Sequence, residues 1–416
     1  MKRLSLLLVL CLLATMIGVP ALAQDQVTIR FCTYSDELRM VVVNELVADF
    51  MAQNPGVIVE VEHIAQSAHY DKKLAETASG MLPDVWELVP GAGSFWIERG
   101  LLLDIAPYVA ADENTNLDEF DQSMVNYYRK GDALYGLPYD SNGVCLYYNK
   151  DLLDAAGLPY PDDTWTYEDL HQSMLAGQKT LADAGTEVWG LSSPISGGWS
   201  GVGYFDMMGT PLVNAEGQMG VNDTETVAGL TFWLQMMKDG CMPEPEPANP
   251  ANVITLGATT FLNGNAMFHL GGTAVALFDP AGINYGVAPA PLGPTGVRGA
   301  KLGGGFAITG DTKYPEEAYK FLTFFTSEDA MRRFVGGAGI PTRLALHEKL
   351  EGTYKDVAHN INDAGYTWLN AVEGCSQIWT LKDTLLQQMW IGMLTPEEVV
   401  KELIYEGTEI LDIASE

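Results

Sequence analysis

The sequence predicts an α/β protein of two domains. Three observations carry that prediction. Short β-branched runs alternate with helix-spaced apolar residues near the start of the chain, turn residues punctuate them, and the length exceeds what one hydrophobic core usually serves. Residues 27–33 read as a strand, and Leu38, Val42, Leu46 and Phe50, recurring four apart, read as the helix after it. Asn54-Pro55-Gly56 ends that helix. Val57-Ile58-Val59-Glu60-Val61 is a second strand, a helix follows over about 70–79, and Pro83-Asp84-Val85-Trp86-Glu87-Leu88 is a third strand. Strands that alternate with helices build a mostly parallel sheet covered on both faces, with ligands bound beyond the carboxyl ends of the strands.

Further on, residues 137–143 interrupt the pattern before a strand over 144–148, which makes them the first place for the chain to cross between domains. Thr166-Tyr167-Glu168-Asp169 is a Thr-x-x-Asp helix start, and the helix should run to about Ala184. Residues 192–209 read as a Gly- and Ser-rich loop whose Trp199, Tyr204 and Phe205 suggest a contact surface. Asn284-Tyr285-Gly286-Val287-Ala288-Pro289 is strand-like and then breaks, so the second crossing is expected near Gly286. Thr395-Pro396-Glu397-Glu398 begins a C-terminal helix, with a Thr cap, Pro in the first turn and Glu three residues after the cap.

Residues 1–23 read as a signal peptide: Lys2 and Arg3, an apolar run over 4–19, then small residues at Ala21 and Ala23, with cleavage expected before Gln24. Cys11 lies inside the apolar run, not after it, so no lipid-attachment cysteine is expected. The predicted location is the periplasm or the cell exterior. The chain carries 54 acidic against 23 basic residues, a net charge of −31, which excludes nucleic acid as a partner because such binding relies on Lys and Arg neutralising phosphates. Cys32 and Cys145 sit in strand-like runs and are expected as buried thiols, while a Cys241–Cys375 bridge stays open. The histidines are scattered and no metal-ligand spacing occurs, so neither metal nor cofactor is expected.

Several segments together resemble the family 1 extracellular solute-binding proteins of bacterial ABC importers. Their most specific part is Tyr135-Gly136-Leu137-Pro138, followed by Leu146-Tyr147-Tyr148-Asn149-Lys150-Asp151-Leu152-Leu153, Ala156-Gly157-Leu158 and Thr164-Trp165. Phe261-Leu262-Asn263-Gly264-Asn265-Ala266-Met267, Gly303-Gly304-Gly305-Phe306-Ala307-Ile308 and Gly339-Ile340-Pro341-Thr342-Arg343 follow in the same order. The resemblance implies a two-lobed periplasmic-binding-protein fold: two α/β lobes joined by a hinge, with the ligand cleft between them. With crossings near Tyr139 and Gly286, the N-lobe would hold 24–139 plus 286–328, and the C-lobe 140–285 plus 329–416. It also implies a monomer that catalyses nothing, carries a carbohydrate, and delivers it to a membrane permease and an ATPase.

A sugar site needs aromatic platforms with polar groups around them. Trp199 is the first platform expected from the resemblance, against simple loop packing. Tyr34, Ser35 and Asp36 end the first strand, although Asp36 also suits a helix cap. Trp86 and Glu87 alternate across the third strand, so one of them at most faces the cleft. Asp140 and Asn142 follow the first crossing, where a structural turn is the other reading. Gly271, Gly272, Gly303 and Gly304 permit close backbone approach to a ligand or mark strand-end turns. Thr273 and Leu88 stand where maltose-binding members of the family carry stacking tryptophans, which argues against a maltodextrin. Two further classes remain: a receptor for an anionic solute, which would need Arg or Lys in the cleft, and a secreted glycosidase, which would need two carboxylates across it.

Overall fold

The computed structural model describes residues 26–35, 37–193, 204–246, 248, 257–272, 274–299, 301–335, 339–361, 372 and 374–415. The leader expected over 1–23 lies outside them. The strands that position the cleft are β1 (Val27–Thr33), β2 (Val57–His63), β3 (Val85–Leu88), β4 (Leu137–Pro138), β5 (Asp140–Gly143), β6 (Cys145–Asn149), β7 (Trp189–Leu191), β8 (Ala266–Gly271), β9 (Tyr285–Pro289), β10 (Lys301–Leu302), β11 (Gly305–Ile308) and β12 (Ile340–Pro341). They form a five-stranded sheet in the order β2-β1-β3-β11-β4, a four-stranded sheet in the order β9-β6-β8-β7, and a three-stranded sheet in the order β10-β5-β12.

Both larger sheets are mixed, not mostly parallel. In the first, β1 is parallel to β2 and β3 while β11 is antiparallel to β3 and β4; in the second, β6 is antiparallel to both β8 and β9. The direction of entry explains this. A strand that enters its lobe from the crossing, as β6 and β11 do, runs away from the cleft, whereas β3 and β8 run toward it. The three-stranded sheet is the crossing itself, with Asp140 opposite Pro341, Ser141 opposite Ile340 and Asn142 opposite Leu302.

Each large sheet has its own apolar core. The first gathers Phe31, Leu46, Phe50, Trp86, Phe306, Phe321 and Phe325, and the second gathers Leu146, Leu170, Trp233, Met236, Phe268, Leu386 and Trp390. The break expected at Gly286 falls inside a strand. Tyr285–Pro289 pairs with Cys145–Asn149, so the chain leaves the second sheet only after Pro289. Glycine is required at 286 because a Cβ there would lie 2.2 Å from Cζ of Tyr148. Helix Glu328–Phe334 also departs from expectation: Ala330, Met331 and Phe334 bury their side chains in the first core, not the second. Tyr204 and Phe205, expected on a contact loop, are buried in the second core.

The local helix signals hold. Thr166 and Asp169 form a reciprocal capping box before helix Tyr167–Asp183, and Thr395 and Glu398 exchange the same pair of bonds before Pro396–Ser415. Cys32, Cys145, Cys241 and Cys375 are all buried thiols outside any disulfide, so the Cys241–Cys375 bridge does not form. No described helix is long and apolar enough to cross a membrane.

Candidate functional site

The carboxyl ends of β1 and β3 meet at Glu87. Its side chain is completely buried, yet both oxygens accept hydrogen bonds: Oε2 from Thr33 Oγ1 at 2.5 Å and from the Tyr34 backbone N–H at 3.0 Å, and Oε1 from the Tyr139 hydroxyl. Burial raises its pKa, and these donors act against the rise. Ser35 joins through its hydroxyl, 2.8 Å from Thr33 Oγ1, and its carbonyl lies 2.6 Å from His63 Nε2. Tyr34 stands half-buried beside this network, edge-on to His69 at 5.0 Å and tilted to Tyr70 at 6.4 Å. Burial, with Tyr139 and Glu87 nearby, pushes its hydroxyl well above the usual phenol pKa, so it stays protonated and able to donate.

Trp86 takes the opposite side of β3 and belongs to the core. It is completely buried, its ring meets Trp96 edge-on at 5.0 Å, and its indole N–H donates to Thr309 Oγ1 at 3.2 Å. Of the alternating pair, Glu87 therefore turns to Thr33, Tyr34 and Tyr139 at the strand ends and Trp86 to the helix-covered side. The reason is the cover: helices 66–79 and 90–98 supply His69 and Trp96 to the face Trp86 occupies.

On the crossing sheet, Asp140 Oδ1 accepts the Gly304 N–H at 2.6 Å, and Oδ2 lies 3.8 Å from Arg39 Nη2. Burial raises the Asp140 pKa, and Arg39 and the Gly304 N–H oppose that rise. The two expected glycines here serve the crossing. A Cβ on Gly303 would sit 1.9 Å from the Asp140 carbonyl oxygen, and one on Gly304 would sit 2.2 Å from the Tyr139 hydroxyl. Asn142 reaches the second lobe, because a Cβ on Gly272 would lie 3.2 Å from Asn142 Oδ1. Gly271 closes β8 opposite Cys145, and the Gly272 carbonyl accepts the Tyr147 hydroxyl at 2.8 Å. Close by on β8, His269 Nδ1 lies 2.7 Å from Ser192 Oγ. Asp36, Trp199 and Thr273 lie outside the described residues.

Tyr34, Ser35 and Glu87 thus share one network, Tyr139 connects it to Asp140, and Asn142 continues the line to Gly272. Arg39, Tyr139 and Thr33 were not singled out from the sequence. Tyr139 had the better signal, since it sits one residue before Asp140 at an expected crossing; Arg39, in the helix after β1, had none. Among the described residues, no group of three His, Cys, Asp or Glu side chains is arranged to hold a metal.

Two α/β lobes joined by crossing strands, with polar side chains gathered at the strand ends beside those crossings, define a two-lobed solute receptor. The chain belongs to the bacterial extracellular solute-binding protein family, whose sequence model matches residues 35–332. It is similar over 378 residues, at 22% identity, to the multiple sugar-binding protein of Streptococcus mutans, covering 86% of this chain and 84% of that one. Its fold matches the ABC substrate-binding protein of Listeria monocytogenes in complex with cycloalternan, with TM-score 0.79 and 22% identity over 93% of this chain and all of that one. The sugar-binding protein MalE of Xanthomonas citri superposes with TM-score 0.77 at 23% identity, covering 93% and 98% of the two chains. The family consists of binding proteins of the periplasm or cell exterior, not enzymes.

Proposed function

We propose that the chain, after removal of residues 1–23, works as a monomeric receptor that closes on a neutral carbohydrate and delivers it to the permease and ATPase subunits of an ABC importer. The observation that carries this reading is the charge balance of the cleft wall. Among the described residues of that wall the cation is Arg39, and it stands beside Asp140 and the Glu87 network, which balance its charge and disfavour an anionic solute. The Tyr34 ring, Asp140 and Asn142 supply the mix of aromatic face, acceptors and donors that suits sugar hydroxyls. Glu87 serves this reading as a support for the wall, since both its oxygens already accept from the protein. That engagement also argues against its acting as a glycosidase acid.

The lobes in this proposal are 24–139 with 305–335, and 145–298 with 375–415, hinged at 140–143, 299–304 and 339–343, because Ala290, Leu292, Thr295 and Arg298 pack on the second lobe. Thermal unfolding against a panel of neutral oligosaccharides tests the ligand class. A ligand at a hundredfold excess over its Kd should stabilise the native state by about 2.7 kcal/mol. Tyr34→Ala should remove most of that shift and leave the ligand-free midpoint near wild type. A shift given by glycerol 3-phosphate, with none from any neutral sugar, overturns the carbohydrate reading.

A further inference from the structure

The second lobe carries a cavity of about 600 Å³ at the end of its sheet away from the cleft. Its lining includes Gln178, Glu187, Trp189, Thr260 and Asn265, which come from helix Tyr167–Asp183, the start of β7, helix Gly257–Leu262 and the turn into β8. Strands β7 and β8 are parallel, and their carboxyl ends, at Ser192 and Gly272, look toward the crossing sheet. Asn265 immediately precedes β8 and lies six residues before Gly271, so the cavity is about 20 Å from the cleft end at the usual rise of a strand. No part of the site described above reaches it.

The lining chemistry is specific. Trp189 begins the edge strand, lines the cavity and remains 38% exposed. Its backbone is fixed by donation from Trp189 N to the Asn265 carbonyl at 2.9 Å. Gln178 Nε2 donates to the carbonyls of Val188 at 3.0 Å and Gly240 at 2.9 Å, so the amide is held rigidly with its oxygen unpartnered among the described residues. The Glu187 carboxylate and the Asn265 side-chain amide likewise have no partner among the described residues. A partly exposed tryptophan lining one cavity with two amides and one carboxylate matches the apolar face and vicinal hydroxyls of a sugar ring. Among the described residues, the lining has no Lys or Arg for an anion, and its apolar surface is one aromatic ring and small aliphatic side chains, which suits neither a lipid nor an apolar peptide.

We propose that this cavity is a second saccharide site, in which Trp189 is the platform and Gln178, Glu187 and Asn265 address the hydroxyls of a neutral oligosaccharide. Only the ligand class is shared with the cleft reading; the two sites share no residue. The test is calorimetric titration of the chain from Gln24 onward with maltotetraose, cellotetraose and xylotetraose, on wild type, Trp189→Ala, Asn265→Leu and Tyr34→Ala. The expected result is a binding phase for at least one tetrasaccharide that Trp189→Ala and Asn265→Leu each weaken at least tenfold and Tyr34→Ala leaves unchanged. Thermal midpoints of the two cavity variants within a few degrees of wild type would show that folding is not the cause. If no phase for any of the three sugars depends on Trp189, the second site is overturned while a Tyr34-dependent phase keeps the cleft reading standing. A Trp189-dependent phase without a Tyr34-dependent one supports the cavity and removes the cleft reading.

Discussion

Replacing Lys301 with Met removes one half of a buried ion pair and leaves the other half in place. Lys301 lies on β10 in the crossing sheet, 3% exposed, and its ammonium donates to Asp121 Oδ2 at 2.6 Å. Asp121 is 7% exposed, and its other oxygen accepts from the Ser123 backbone at 3.0 Å and hydroxyl at 2.6 Å. Burial alone pushes the Asp121 carboxyl upward, but Lys301 and Ser123 outweigh it and hold the group below its ordinary 3.8. Without Lys301, the buried carboxylate keeps, among the described residues, only the Ser123 donors. Losing one partner of such a pair costs about 3–5 kcal/mol, a large part of the roughly 5–15 kcal/mol that keeps a domain folded. Urea unfolding followed by tryptophan fluorescence should show the loss at pH 7. Adding Asp121→Asn, which retains the acceptor for Ser123 but removes the charge, should recover all but about 1 kcal/mol. The sign with pH follows from the depressed carboxyl: its contribution is present above 3.8 and lost as pH falls further, so the gap between wild type and Lys301→Met should narrow below pH 4. A single-variant loss under about 1 kcal/mol, or a double variant as damaged as the single one, would refute the reasoning.

His69 is completely buried, with Nε2 on the Glu87 carbonyl at 2.9 Å, and burial lowers its pKa from 6.5 to about 4. The folded state therefore disfavours protonation there, so this contribution is complete above pH 6.5 and declines as pH falls toward 4, by about 3 kcal/mol in all; His69→Gln should flatten that part of a denaturation series, and an unchanged slope counts against it. Gly304→Ala places a Cβ 2.2 Å from a tyrosine hydroxyl already engaged by Glu87, on a ring packed 4.9 Å from both Phe306 and Phe334. Overpacking of about 1–3 kcal/mol should appear in urea unfolding, and wild-type stability in this variant would show that Tyr139 can move aside.

What the sequence made legible was local. The Thr166 and Thr395 helix starts rest on contacts three residues apart, and both form as read. The strand-helix alternation identified β1, β2 and β3 for the same reason. The break at Gly286 misled because Asn284, Gly286 and Pro289 resemble a turn, whereas β9 is an edge strand that tolerates a terminal proline and needs glycine for the Tyr148 ring. The direction of β6 and β11 depends on which end of a lobe the chain enters, and that has no local signature. Nor does the pairing of Lys301 with Asp121, 180 residues apart, or of Arg39 with Asp140, about a hundred apart.

Trp86 and Glu87 show how far alternation can be read. Period two assigns Trp86 and Glu87 to opposite faces, but both are completely buried, so burial alone does not tell platform from support. The distinction comes from what each polar atom meets. The Trp86 indole needs a single acceptor and finds it in Thr309, inside its own lobe. The Glu87 carboxylate, costly to bury, needs several donors, and it takes them from Thr33 and Tyr34 at the end of β1 and from Tyr139 at the threshold of the crossing sheet. The donors that offset the burial of the charge are thereby fixed in place themselves. One carboxylate orients the Tyr34 backbone, locks the ring against which Gly304 packs, and through Gly304 steadies the N–H that holds Asp140. The burial of one acid thus links the ends of β1 and β3 to the crossing sheet.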